Sequence, residues 1–175
     1  MKRLLLITLI CPFLASAADP LTPLDVKLGL WESTTTSQSS GMPPIPEAAL
    51  ARLTPEQRAK MEAAIKAQQA KGPQSHTTKS CLTADQLKSM MGFGDDQKNS
   101  CKRTVLRSNA RIQDLHFDCG QAGMAAGGDM HIEAADSENV KGTIQINAAG
   151  GGNSMASKTS FTAHWLSSDC GALKK

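Results

Sequence analysis

The sequence predicts a mostly β protein: a single antiparallel, strongly curved sheet or partly open barrel of seven to eight strands, with one inserted helix and one short helix. Three observations carry this expectation. From Cys101 onward, apolar and polar residues alternate with period two in five successive stretches. Short clusters of Gly, Asn, Asp and Ser separate those stretches. The strand–helix–strand rhythm of a parallel sheet is missing. Alternation with short links is the pattern of an antiparallel meander with one dry face.

The chain opens with a segment read as a leader rather than as fold. Lys2 and Arg3 precede an apolar run from Leu4 to Leu14, and Ala15-Ser16-Ala17 offers small residues where a signal peptidase cuts. The run is too short for a mature membrane span. Residues 1–17 are therefore assigned to a cleaved signal peptide, with cleavage after Ala18 as the alternative, and residues 18–27 to an N-terminal linker. Cys11 follows Ile10 rather than the small residue a lipidation signal needs, so it is a passenger in the leader. Periplasmic or secreted location follows, with an oxidising environment. Without Lys2 and Arg3, the 19 basic residues fall to 17 against 16 acidic ones. The mature chain is near neutral, which argues against nucleic acid as a partner. No later stretch is long and apolar enough for a transmembrane helix.

Residues 28–175 are read as one domain. Gly29-Leu30-Trp31-Glu32 opens a Thr/Ser-rich strand with Leu30, Glu32, Thr34 and Thr36 on one side and Trp31, Ser33 and Thr35 on the other. Pro43, Pro44 and Pro46 end it. A helical insertion at about 46–72 follows. Its helix, residues 55–70, has Thr54 as N-cap, Pro55 at the first helical position and Gln57 at capping-box spacing, and Gly72-Pro73 stops it. Its apolar stripe is thin: Met61 and Ile65, with Leu50 and Leu53 upstream. Residues 75–82 form a second strand, and Thr83 caps a short helix from Ala84 to Met91.

Strands are then expected at 101–107, 111–119, 128–135, 139–147 and 154–166. Leu115, Phe117 and Cys119 share one side, as do Met130, Ile132 and Ala134, then Val140, Ile144 and Ile146, then Phe161, Ala163 and Trp165. The mature chain's large aromatics are Trp31, Phe93, Phe117, Phe161 and Trp165, a small set of anchors for a core. The four cysteines after the leader, Cys81, Cys101, Cys119 and Cys170, form no CxxC pair and allow three connectivities.

In this order the residues resemble the bacterial domain-of-unknown-function family 3617. The likeness rests on the leader, the Gly29-Leu30-Trp31-Glu32 start, the Met/Pro-rich insertion at Met42 to Pro46 with the Thr54-Pro55-Glu56-Gln57 helix, Cys81-Leu82-Thr83, Cys101, the Gly-rich meander and the Asp169-Cys170 ending. The resemblance implies an exported, mostly β protein and no established activity. The preferred pairing is Cys81 with Cys101 and Cys119 with Cys170, because it closes a compact local loop and agrees with the family's two-and-two order.

Chemistry is sparse. Facing Phe117 with Met130 would set His116 opposite His131, with Asp114, Asp118 or Glu133 nearby, the only arrangement that would suit zinc. The methionines lack the Met-x-x-Met spacing that Cu(I) favours. No catalytic motif is recognisable, and no cofactor is called for. The leading expectation is a non-enzymatic periplasmic binding or envelope-associated protein. It would hold a small apolar ligand in the curved sheet, over small dry-face residues such as Ala134, Ala148 and Ala163. The alternative is a module that binds an envelope protein through the 46–72 helical arm. Metal binding is the distant one.

Overall fold

A computed structural model of the chain describes residues 21–91, 101–121 and 123–173. The leader with Cys11, and Phe93, lie outside the described residues. Seven strands form one open antiparallel sheet: β1 (Gly29–Gly41), β2 (Gln74–Leu82), β3 (Cys101–Ser108), β4 (Ile112–Gln121), β5 (Met124–Ala134), β6 (Asn139–Gly150) and β7 (Asn153–Ser167). Their order across the sheet is β2-β1-β7-β6-β5-β4-β3, so β3 to β7 are the expected meander and β1 closes against β7. The sheet stays open, with β2 and β3 as its two edges. Its edge strands are shorter than its centre and carry Lys79, Lys102, Arg103 and Arg107, which discourage edge pairing.

Three helices lie in the connections: α1 (Glu47–Leu50), α2 (Pro55–Ala70) and α3 (Ala84–Met91). α2 starts as the sequence predicts. Thr54 Oγ1 accepts from Gln57 N at 3.2 Å, and Gln57 Oε1 accepts from Thr54 N at 2.9 Å. No residue of α2 is buried; Met61 and Ile65 are half-buried.

The expected faces are all present. Trp31, Ser33, Phe161, Ala163, Val140, Ile132, Leu115 and Phe117 share the dry face, and Glu32, His164, Lys141, His131, Asp114 and His116 share the wet one. Two of the few aromatics use glycine partners. Phe161 is opposite Gly142 and Phe117 opposite Gly128. A Cβ on Gly142 would come within 2.5 Å of the Phe161 ring, and one on Gly128 within 2.9 Å of Phe117 Cζ. The rings lie down over the bare backbone, which gives a sheet poor in large side chains a continuous apolar floor.

The disulfides correct the expected pairing. Cys81 bonds Cys170, with Cα atoms 5.4 Å apart, and Cys101 bonds Cys119, with Cα atoms 3.9 Å apart. The reason is topological. Cys81 and Cys101 sit on opposite edges of the sheet. Six strand spacings separate those edges, roughly 29 Å, far beyond a disulfide's reach. Cys101 and Cys119 are direct partners across β3 and β4.

The histidine register is corrected too. His116 is opposite Asp129, and His131 opposite Asp114. Gln121 pairs with Met124, so two residues remain for the turn, with Gly123 at φ 78°. That tight link sets a register two residues away from the one that matches Phe117 to Met130. An even shift keeps every side chain on its face while changing its partner.

Residues 21–28, of which 21–27 belong to the 18–27 stretch read from the sequence as a linker, form a strap across one end of the sheet. Asp25 N donates to Ala110 O at 2.8 Å and Lys27 N to Ser137 O at 2.9 Å. Thr22 N donates to Ser108 Oγ, and buried Gln113 donates through Nε2 to Thr22 O, both at 2.7 Å. Both tryptophans hold the strap's end: Trp31 Nε1 donates to Lys27 O at 2.9 Å and Trp165 Nε1 to Leu28 O at 3.1 Å.

Candidate functional site

The strap and α3 convert one end of the dry face into a cleft of about 210 Å³. Its floor is the sheet: Trp31 and Ser33 from β1, Phe161 and Ala163 from β7, Val140 from β6 and Ile132 from β5. Ser80 and Leu82 from β2 form one wall, Leu87 of α3 another, and Leu24 and Val26 of the strap a third. Nine of these eleven side chains are apolar, and the other two are serines. The strap is latched at this mouth by Lys27, which pairs with Glu138 at 2.5 Å and stands 4.5 Å over the Trp165 ring.

Of the three small residues expected to line a binding face, the structure brings only Ala163 to the cleft. Ala134 is buried at 2% exposure beside the β3–β4 turn, its N–H donating to Arg111 O. Ala148 lies at the far end of the sheet, in an open hollow of about 670 Å³ among the tips of β1 and β4 to β7. Leu24 and Val26 were missed by sequence reasoning. Their signal was the period-two apolar spacing of Leu24, Val26 and Leu28, which runs directly into Leu30.

On the wet face two of the histidines, His131 and His116, are held by carboxylates in two rows. In the first, Arg107 Nε donates to Asp114 at 2.6 Å, and Asp114 meets His131 Nδ1 at 2.5 Å. Glu133 continues the row, 3.9 Å from His131 Nε2 and 3.1 Å from Lys141. The hydrogen bond to His131, helped by Arg107, holds the Asp114 carboxyl below its usual range. In the second row His116 lies between Asp129, 2.7 Å from Nδ1, and Asp118, 3.3 Å from Nε2. The bond to Asp129, with Asp118 adding, raises the His116 pKa.

Each imidazole thus has its own carboxylate partner. Among the described residues, no group of three or more His, Cys, Asp or Glu side chains is placed to hold a metal. Asp114, His131 and cross-strand Thr143 follow one another in the order of a nucleophile row. They lie on an open face, and neither cavity described above includes them.

The comparisons with known proteins give a family and stop short of an activity. A family model described as "Protein of unknown function (DUF3617)" matches residues 26–170. The chain belongs to the DUF3617 family. A relative from Pseudomonas putida, named "Uncharacterized protein in lpd-3 5'region", is 31% identical over 120 residues, which is 63% of this chain and 84% of that protein. No solved structure matches. The matched region of this DUF3617 protein begins at Val26, inside the strap, so the cleft lining and both disulfides fall within it apart from Leu24. Among its described residues no helix is long and apolar enough to cross a membrane.

Proposed function

We propose that this DUF3617 protein is an exported, non-enzymatic binding protein of the periplasm or cell envelope, which holds a small apolar group in the cleft beneath its strap. The observation that carries the reading is the cleft's composition: nine apolar side chains and two serines around about 210 Å³. Ligand sites are concave and mostly apolar with few polar groups, and those for drug-sized molecules run to ~300–1,000 Å³. A cleft below that range suits a short alkyl chain or a single ring. Export is supported by the leader at residues 1–17 and by two disulfides, which persist in oxidising compartments.

The test is calorimetric titration of the mature protein with toluene, a neutral single-ring probe. Saturable binding below about 100 μM, lost when Ala163→Trp fills the floor, is expected from the size of the site. A probe that never saturates, or one that binds Ala163→Trp as well, ends the reading. Amino-terminal sequencing of periplasmic protein should begin at Ala18 or Asp19; an intact Met1 in the membrane fraction would remove the export half.

A second reading uses the 46–72 arm as a docking element, favoured by the absence of any buried residue in α2. Its side-chain tie to the sheet is Gln69 Nε2 donating to Gly41 O at 2.5 Å. Deleting 46–72 should leave the melting temperature within a few degrees. A collapsed fold would show that the arm is structural.

A further inference from the structure

We infer, resting on the cleft reading above, that the ligand is more than a bare hydrocarbon: it carries a hydroxyl or carbonyl oxygen, which hydrogen-bonds Ser33 in the cleft floor. The other floor side chains are apolar, and the one N–H among them, Trp31 Nε1, is already given to Lys27 O. Other hydroxyls of β1 are satisfied across the sheet. Thr34 Oγ1 lies 2.9 Å from Thr77 Oγ1, Thr36 Oγ1 2.6 Å from Ser75 Oγ, and Ser37 Oγ 3.1 Å from Thr159 Oγ1. Ser33 stands opposite Ala163 of β7, which has no hydroxyl to offer, and its other cross-strand neighbour is Thr78 of β2. Among the described residues the Ser33 hydroxyl has no hydrogen-bond partner, and it lines the cleft.

Such a hydroxyl selects by what a ligand takes from it. Ser33 is half-buried, and its oxygen is not sealed from solvent, so water can reach it in the free protein. Trp31, beside it on the same face, is only 5% exposed, so the floor is already sheltered there. A molecule seated on the floor takes Ser33 out of the reach of water. A bare hydrocarbon then leaves the hydroxyl without a bond, and a covered, unsatisfied group costs more than a made bond returns. A ligand oxygen at Ser33 restores the bond, while the rest of the molecule keeps its apolar contact with Phe161 and Val140. The same rule acts on the ligand. Its oxygen loses water on entering the floor, and Ser33 is the floor group that can replace it.

The experiment titrates the mature protein calorimetrically with toluene and with p-cresol, the same ring with one hydroxyl added, at pH 7. In a cleft that offered the hydroxyl no partner, p-cresol would bind roughly tenfold more weakly than toluene. With Ser33 in the floor it should bind at least as tightly. Ser33→Ala should weaken p-cresol about fivefold, the loss of one neutral hydrogen bond, and tighten toluene about twofold, since no hydroxyl is left stranded. If the wild-type protein binds toluene and takes p-cresol tenfold more weakly, the inference is overturned while the cleft stands. If p-cresol is favoured but Ser33→Ala shifts or abolishes both compounds alike, the oxygen sits elsewhere and the inference is also overturned. If neither compound binds the wild-type protein, the cleft reading fails and takes this inference with it.

Discussion

The two ends of the sheet solve the same problem differently. At the strap end, Trp31, Ile132, Ala134 and Cys170 are buried, and the strap and α3 give the dry face a second layer. At the far end, the dry face of the strand tips carries Ala126, Ala148 and half-buried Met155 around an open hollow. A sheet with one dry face must bury it against something. This chain does so at one end. At the other, the small Ala126 and Ala148 beside Met155 leave less apolar surface to cover. Each end holds one disulfide: Cys81–Cys170 at the packed end and Cys101–Cys119 at the open one.

Removing the disulfides should give the largest effect and rank the two ends. They span 89 and 18 residues of sequence. Chain entropy assigns about 4.6 kcal/mol to the longer loop and about 3.2 kcal/mol to the shorter. Denaturant unfolding of the Cys81→Ser/Cys170→Ser and Cys101→Ser/Cys119→Ser proteins should show that order. A reversed order would mean that the open end depends on its staple more than the packed end does. A chain whose melting temperature is unchanged in reducing agent would remove the structural account of both.

Side-chain deletion should come next. Trp31 is 5% exposed and donates to the strap at Lys27 O. Trp31→Ala should cost about 3–5 kcal/mol. Met155, half-buried at the open end, should lose only about 1 kcal/mol on truncation to Ala, the centre of the range for ordinary substitutions. Equal losses would show a core spread evenly along the sheet.

Much of this contrast was legible in the sequence, and the exceptions have physical causes. Period two in the stretches around Trp31, Leu115, Ile132, Val140 and Phe161 fixes the faces, because alternation is a property of the single strand. The Thr54 and Thr83 caps announce α2 and α3 for the same local reason. Register is not local. Matching apolar Phe117 to apolar Met130 is reasonable chemistry, but the turn before Met124 overrules it and sets the ring over Gly128. Cysteine pairing is less local still, since it depends on which strands become edges. The strap was missed because Leu24 and Val26 alternate without a strand partner, so the segment reads as a linker.

Glycine substitution probes the two ends at a smaller scale. At Gly142 an added methyl meets the Phe161 ring at 2.5 Å and His131 O at 2.8 Å. Gly142→Ala should cost about 1–3 kcal/mol, the usual range for overpacking. At Gly120, in the open end, nothing lies within 4 Å of the added atom. Gly120→Ala should be neutral or gain a few tenths of a kcal/mol through the unfolded chain. A costly Gly120→Ala would mean that something covers the hollow in solution.

The smallest effects belong to the wet face, whose two imidazole rows titrate in opposite senses. The Asp114 row, nearer the strap, holds a carboxyl whose pKa is lowered first by the hydrogen bond to His131. Its stabilising contribution is present above the ordinary 3.8 and is lost as pH falls through the lowered value. The His116 row, nearer the open end, holds an imidazole whose pKa is raised first by Asp129. Its contribution is complete below 6.5 and is lost as pH rises through the raised value. NMR titration of Asp129→Asn should return His116 toward 6.5 and leave Asp114 alone, whereas His131→Ala should raise Asp114 toward 3.8. Salt should tell the rows apart as well. The Asp114 side chain is 22% exposed, whereas Asp129, the main partner of His116, is 67% exposed. At about 0.5 M salt the His116 shift should shrink more than the Asp114 shift, since exposed charges are screened more than sheltered ones. Equal screening of the two would show that the shelter of the strap end stops at the dry face and does not reach through the sheet.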